Sequence, residues 1–508
     1  MKYSFLFIII FSFIICAQPK NEVRAVWITT AFNLDWPTTQ GSENQQKEII
    51  NILDSLKLAN FNTIYLQVRA RGDLLYPSKH EPYAKSLTGK LGEIPGYDPL
   101  KYFIDEAHKR GFEILAWWNV YKVFGKNLPE LTLLKHVVLA NPELCKYYKD
   151  EWWMDPGNPQ SNKYLLNLIV ELVSNYDLDG INFDYMRYPD KDFNDDNTFK
   201  IYGNGKDKSK WRRENINHFV TQIYDTIISL KPYFKIGSSP LGVYKNKDEI
   251  SNLFGGFENA SQDSKKWIES KKQDFIAPQI FWNIESAPNY NIVLREWTSL
   301  ADGKQVIAGI AAYKLSPVFE NWDISEISAQ IDSVRKIGAD GISIYRLSNL
   351  INNDKGIYNL LKNDKFKRAS GIASLNWKDT TKPNPPNYFK INYSDGNYLS
   401  IVCNDSVINE FKYYNFYLSK TLPVDIFDNK NIYQLRVVNT DTVKIKIDNI
   451  FSQPIYFVAT ALSRTNVESN SSEYFVINKK RFLGISILLV NNKKYFLKDE
   501  QLSLPIQN

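Results

Sequence analysis

"DGINFDYMRYP", residues 179–189, runs from an apolar stretch into a carboxylate, then passes to two tyrosines, an arginine and a proline. With a period of two, Ile181 and Phe183 take one face while Asn182 and Asp184 take the other. The stretch is therefore predicted as a buried strand that delivers Asp184 to its C-terminal end. Strands also end in Asp simply because a turn begins there, so the neighbouring segments have to decide between the two readings.

Those segments repeat. Short apolar runs that read as buried strands are "VRAVWIT" (23–29), "TIYLQVR" (63–69), "FEILAWW" (112–118), "DGINFD" (179–184), "KIGSSP" (235–240), "DFIAPQIF" (274–281), "QVIAGIA" (305–311) and "GISIYR" (341–346). Helical periods lie between most of them. Leu100, Phe103, Ile104 and Ala107 precede Gly111; Ile324, Ile327, Ile331 and Val334 precede Gly338. Glycine after a basic last turn stops a helix, because it accepts the left-handed cap while the cation meets the negative end of the dipole. Eight strands apolar on both faces call for a parallel sheet covered by helices. The α/β class follows, and the strand-then-helix repeat fits a (β/α)8 TIM-like barrel better than a doubly wound sheet, which strand counting alone leaves open. The segments after strands two, three and four run to roughly 30, 40 and 25 residues, well beyond ordinary loops. In a barrel they crowd the C-terminal face, where a cleft is expected.

The 508 residues are 44% apolar and 14% aromatic, enough for more than one domain. Residues 22–370 are assigned to the barrel and 371–386, with Pro383, Pro385 and Pro386, to a stiff linker. The period becomes two over 387–478, predicted as a small all-β sandwich, and 479–508 are predicted as a hairpin or tail. A net charge of +6, with no long basic block, gives no footprint for nucleic acid. Residues 1–17 read as a secretory signal peptide, with lipid attachment at Cys16, and hence a membrane tether, as the alternative; Ile15 stands where a lipobox has a small residue. Three cysteines, one of them in the signal, do not make a disulfide framework. The four histidines fall singly, so no metal is expected. No phosphate loop or dinucleotide fingerprint follows a strand, so no cofactor is expected either. Oligomeric state is not legible.

Asp184 at a barrel mouth needs partners, and Arg187, Arg212 and Arg213 are available; alone, a structural ion pair would explain it equally well. Strand two ends near Arg69, Arg71, Asp73 and Tyr76, and strand three near Trp117, Trp118, Asn119 and Tyr121. Tyr185 follows strand four, Gln279 and Trp282 end strand six, Tyr313 follows strand seven, and Tyr345 and Arg346 end strand eight. Aromatic faces stack on pyranose rings while amides and carboxylates bind hydroxyls, so this rim is expected to bind a glycan. Glycoside hydrolysis needs two carboxyl groups. Asp184 is the first; Glu214, Asp263 and Asp73 are candidates for the second. Glu214 and Asp263 also suit first-turn helix positions that favour acids without any catalytic role.

The blocks "EVRAVWITT", "QVRARGDLLYPS", "YDPLKYFIDEAHKRGFEILAWWNVYKV", "DGINFDYMRYP", "WRRENINHFV", "QDSKKWI", "DFIAPQIFW" and "GIAAYKL" occur in that order. Over about 22–350 the chain resembles glycosyl-hydrolase-like family 10, exported bacterial proteins. The resemblance implies a TIM-like barrel, often followed by a fibronectin type III-like domain, and as substrate class the glycan strands of peptidoglycan, particularly those stripped of stem peptides. It places Asp184 at the family's strand-four acid position and Glu214 and Asp263 within family motifs. The expectation is an exported glycoside hydrolase, periplasmic, outer-membrane-anchored or secreted. Asp184 would be nucleophile or base, with Glu214 or Asp263 as proton donor. A barrel that binds glycans without cutting them is the alternative.

Overall fold

The eight predicted strands close into one parallel barrel in the computed structural model: β1 (Val23–Ile28), β2 (Thr63–Arg69), β3 (Glu113–Asn119), β4 (Gly180–Asp184), β5 (Lys235–Ser238), β6 (Phe275–Ile276), β7 (Gln305–Ala311) and β8 (Gly341–Tyr345). Each pairs with its sequence neighbours, and β1 closes the ring on β8, with Val23 opposite Gly341. The structure describes residues 18–247, 250, 253–386, 389–394, 398–403, 412–438, 442–446, 453–482, 485–490, 493–498 and 501–503. The expected signal peptide and Cys16 lie outside them.

Alternation along the strands sorts side chains into two cores. Val23, Ala25, Trp27, Tyr65, Leu115, Trp117, Phe275, Ala277 and Ile307 form the barrel interior, whereas Val26, Ile28, Ile64, Ala116, Trp118, Ile181 and Phe183 pack outward against the helices. The interior is plugged by rings: Trp27 lies 4.3 Å from Tyr65 and 5.1 Å from Trp117, centroid to centroid. The helices that cover the strands include α1 (Ser42–Leu58), α2 (Pro99–Lys109), α3 (Pro159–Asn175), α4 (Lys208–Leu230), α5 (Tyr290–Leu300) and α6 (Ile324–Ile337). The expected stop at Gly338 is formed, with φ at 86°.

The long connection after β3 carries a three-stranded antiparallel insert, Lys122–Phe124, Glu151–Met154 and Cys145–Tyr148 in spatial order, before α3 begins. It stands on the C-terminal face of the barrel.

Beyond the linker the strands are antiparallel, in a three-stranded sheet (Phe389–Ser394, Tyr398–Cys403, Thr442–Lys446) and a seven-stranded one. The expected boundary at 478 falls inside the strand Phe475–Phe482, which pairs with Ile485–Val490. The tail therefore continues the larger sheet instead of standing apart. The larger sheet meets the opposite end of the barrel, where Asp177 and Asp179 lead into β4. Arg464 and Lys412 reach Asp177 at 2.8 and 3.0 Å, and Arg436 reaches Asp179 at 3.0 Å.

Candidate active site

Asp184 ends β4 inside the barrel, as its parity requires, and is 8% exposed. Asn119 of β3 is its register partner. Donors to its carboxylate include the backbone N–H of Tyr185 to Oδ1 at 2.8 Å, Trp117 Nε1 to Oδ2 at 3.2 Å and Gln279 Nε2 to Oδ1 at 3.3 Å. Tyr185 makes its bond from the left-handed region, with φ at 51°. Burial pushes the Asp184 carboxyl above the ordinary aspartate range, against the opposing pull of the Tyr185 N–H, Arg187, Trp117 and Ser239.

A cavity of about 140 Å³ opens over this carboxylate. Its walls are the rings of Trp27, Trp117, Tyr185, Phe281, Tyr313 and Tyr345, with Gln279, Ser239 and Ser343 as polar points. Phe281 stacks on Tyr345 at 5.8 Å, and Tyr313 meets Tyr345 edge-on at 5.8 Å. Ser343 Oγ, fully buried, has no hydrogen-bond partner among the described residues. Among the described residues lining the cavity, Asp184 is the one carboxylate.

Of the expected site residues, Tyr185, Gln279 and Tyr313 line this cavity with Asp184. Arg187 stands behind it, its guanidinium 5.2 Å from the Tyr185 ring and 5.5 Å from the Trp153 ring. Asn119, level with Asp184 in register, does not line the cavity and donates to the Ala70 carbonyl at 2.8 Å.

The others go elsewhere. Arg69 points outward, fully buried, and holds Glu81 through two bonds of 2.6 and 2.7 Å, with its guanidinium on the Trp118 ring. Trp118 and Tyr76 are fully buried in the outer core, away from the cavity. Asp73 is spent on the Arg71 N–H at 3.0 Å. Trp282 packs over the backbone at Gly242, so Phe281 takes the cavity position instead.

Neither expected partner acid is brought to Asp184. Glu214 is a surface residue of α4, paired with Lys206 at 2.6 Å. Asp263 caps the short helix Ser264–Glu269 and accepts from Tyr244 at 2.9 Å. Arg212 binds Asp195, and Arg213 lies on the Phe257 ring, which leaves Arg187 as the cation facing Asp184.

An acid that the sequence reading did not single out, Glu151 on the insert strand Glu151–Met154, stands beside the cavity wall. Glu151 accepts from Trp153 Nε1 at 3.1 Å and pairs with Lys122. Trp153 meets the Tyr185 ring edge-on at 5.8 Å, and the Lys122 ammonium lies 5.1 Å from the same ring. No motif in the sequence pointed to Glu151, because an insert long in sequence had to fold back onto the rim.

The family model described as glycosyl hydrolase-like 10 matches residues 22–323. Glycosyl hydrolase YngK of Bacillus subtilis (strain 168) is 34% identical over 418 residues, 78% of this chain and 82% of that one. Glycosyl hydrolase DigH of Escherichia coli (strain K12) is 32% identical over 352 residues, 62% of this chain and 80% of that one. Among solved structures, the PgaB (BpsB) glycoside hydrolase domain from Bordetella bronchiseptica aligns at 15% identity and a TM-score of 0.47, covering 67% of this chain and 98% of that one.

Proposed function

The chain belongs to the glycosyl hydrolase-like 10 family, and from that premise we propose that it is an exported glycosidase that cleaves glycan strands of peptidoglycan, with Asp184 as the proton donor. The observation that carries this reading is the Asp184 carboxyl itself, at the C-terminal end of a barrel strand, roofed by aromatic rings and pushed up by burial. Burial favours the protonated form, so Asp184, expected from the sequence as nucleophile or base, is assigned the donor's role here: a carboxyl that holds its proton more tightly than an ordinary aspartate can give it to a departing glycosidic oxygen. The rings offer stacking faces for a pyranose, and Gln279 and Ser343 offer bonds to its hydroxyls.

Glu151 is our candidate for the second carboxyl that glycoside hydrolysis uses. Its two partners, Trp153 and Lys122, both lie on the Tyr185 ring that walls the cavity, at 5.8 and 5.1 Å. Glu214 and Asp263, tied to surface and capping roles, are not assigned to chemistry. Peptidoglycan as substrate is supported by the sequence blocks described first. Export is supported by the lysine and apolar run of residues 1–17, with Cys16 offering a lipid tether as the alternative form.

The test is incubation with purified glycan strands stripped of stem peptides, counting new reducing ends. Asp184→Asn is expected to lower kcat by about 10²–10⁴-fold, the usual worth of a positioned acid, while still sedimenting with the polymer. Glu151→Gln should also lose at least tenfold, and Glu214→Gln and Asp263→Asn should stay within about twofold. A wild-type protein that sediments with the strands and releases no ends overturns the glycosidase and leaves a glycan-binding barrel.

A further inference from the structure

The cavity over Asp184, at about 140 Å³, is small beside the roughly 300–1,000 Å³ of ordinary ligand clefts. A polymer must therefore lie mostly on the rim, where one arginine has no ion-pair partner among the described residues. The buried and half-buried arginines of this chain mostly hold acids: Arg24 holds Glu22, Arg69 holds Glu81, Arg212 holds Asp195, Arg346 holds Asp35 and Arg436 holds Asp179. Arg71, two residues beyond the end of β2, does not. Among the described residues no carboxylate lies within ion-pair distance of its guanidinium, and none of the guanidinium N–H groups has an acceptor.

The guanidinium is nevertheless fixed. It lies between two rings, 4.5 Å from the centroid of Phe32 and 4.4 Å from that of Phe124. Phe32 is 70% exposed and holds the left-handed region at φ 57°, a conformation that concentrates at ligand clamps. Gly125 lets the backbone pack close beside the guanidinium, since a Cβ there would stand 2.7 Å from Arg71 Nη2. Phe124 shares the strand Lys122–Phe124 with Lys122, whose ammonium lies 5.1 Å from the Tyr185 ring, and Arg187 lies 5.2 Å from the same ring, so Arg71 and Arg187 border one stretch of rim beside the cavity wall.

The geometry points to an anion subsite at this place, in which Arg71, held flat between Phe32 and Phe124, receives the carboxylate of an acidic sugar in the bound glycan. The inference rests on the glycan reading above and names a specificity residue for it. A planar guanidinium fork matches a carboxylate through two parallel bonds, and the exposed Phe32 offers its other face to the neighbouring sugar ring. The acids beside Arg71 are occupied, since Asp73 accepts from the Arg71 N–H at 3.0 Å and Glu151 pairs with Lys122.

Binding is measured by calorimetry in the Asp184→Asn background, so that no turnover is needed. The probes are stem-peptide-free glycan strands with free carboxylates and the same strands with the carboxylates converted to methylamides. Arg71→Gln is expected to weaken the carboxylate form by about 10- to 100-fold, the usual loss for a hydrogen bond to a charged group, and to leave the amidated form unchanged. Arg71→Lys, which keeps the charge and loses the fork, should recover only part. Equal loss on both probes, or no loss on either, overturns the subsite. An outcome in which carboxylate-dependent binding through Arg71 is seen and the parent protein cuts nothing sinks the glycosidase reading and keeps this one.

Discussion

Asp184 gains its place partly through its neighbour, because Tyr185 adopts a left-handed conformation that costs a side-chain-bearing residue roughly 1–2 kcal/mol. That turn aims the Tyr185 N–H at Asp184 Oδ1 and sets the Tyr185 ring in the cavity wall. The carboxyl is still held above its ordinary range by burial, so the folded state binds this proton more tightly than the unfolded chain does. Stability from this group is therefore greatest below the ordinary aspartate pKa of about 3.9, declines as pH rises through the folded value, and is then flat. Asp184→Asn removes the desolvated charge, so its thermal midpoint should lie above that of the parent at pH 7, and the two should converge at pH 3. A variant that melts lower at pH 7 would show that the carboxylate is needed for the fold. The sequence disclosed this residue because a strand of strict alternation ending in an acid has one parity, and that parity is what the barrel uses.

At the scale of an element, β2 and β3 show where the reading of side-chain direction worked and where it did not. Leu115, Trp117 and Asn119 point inward while Ala116 and Trp118 point outward. Both tryptophans were expected at the rim only because they sit at a strand end; the same parity that placed Asp184 separates them. Arg69 is a different case. Parity from Tyr65 would send it inward, but the register with β3 slips between Gln67, opposite Trp117, and Arg69, opposite Trp118. That irregularity turns Arg69 outward onto Trp118 and Glu81, and nothing in a single sequence announces such a bulge. The two tryptophans should then respond in opposite ways. Trp118→Ala empties a fully buried site and should cost about 3–5 kcal/mol in denaturant unfolding with KM unchanged. Trp117→Phe removes a bond to the charged form of Asp184, which raises the carboxyl further and moves the alkaline limb of the kcat profile to higher pH at nearly unchanged stability. An unmoved limb would deny Trp117 any hold on that proton.

The whole molecule keeps chemistry and anchorage at opposite ends of the same strand. β4 ends on Asp184 at the mouth, and Asp179, just before its first residue, receives Arg436 at 3.0 Å, His108 Nε2 at 2.9 Å and Tyr413 OH at 3.3 Å at the floor. Arg436 and Asp179 are 257 residues apart in sequence. No local pattern could foretell that pairing, whereas the alternating strands of the C-terminal region could be read from period two. Burial pushes Asp179 up, but Lys412, His108 and Arg436 outweigh it and hold its carboxyl well below the usual range. The sign is the reverse of that at Asp184: this stability is fully present above the unfolded aspartate pKa of about 3.9 and is lost as pH falls from there through the folded value. Asp179→Asn leaves Arg436 and Lys412 crowded with one acid fewer, which for a buried pair costs about 3–5 kcal/mol. In urea unfolding series the parent should therefore lose stability steeply below about pH 4, and the variant, already weakened at pH 7, should show a shallower acid slope. Release of reducing ends by the folded variant should match the parent at pH 7, since the mouth is untouched. Equal acid slopes in the two proteins would mean that Asp179 does not carry the contact between the barrel and its C-terminal sheets.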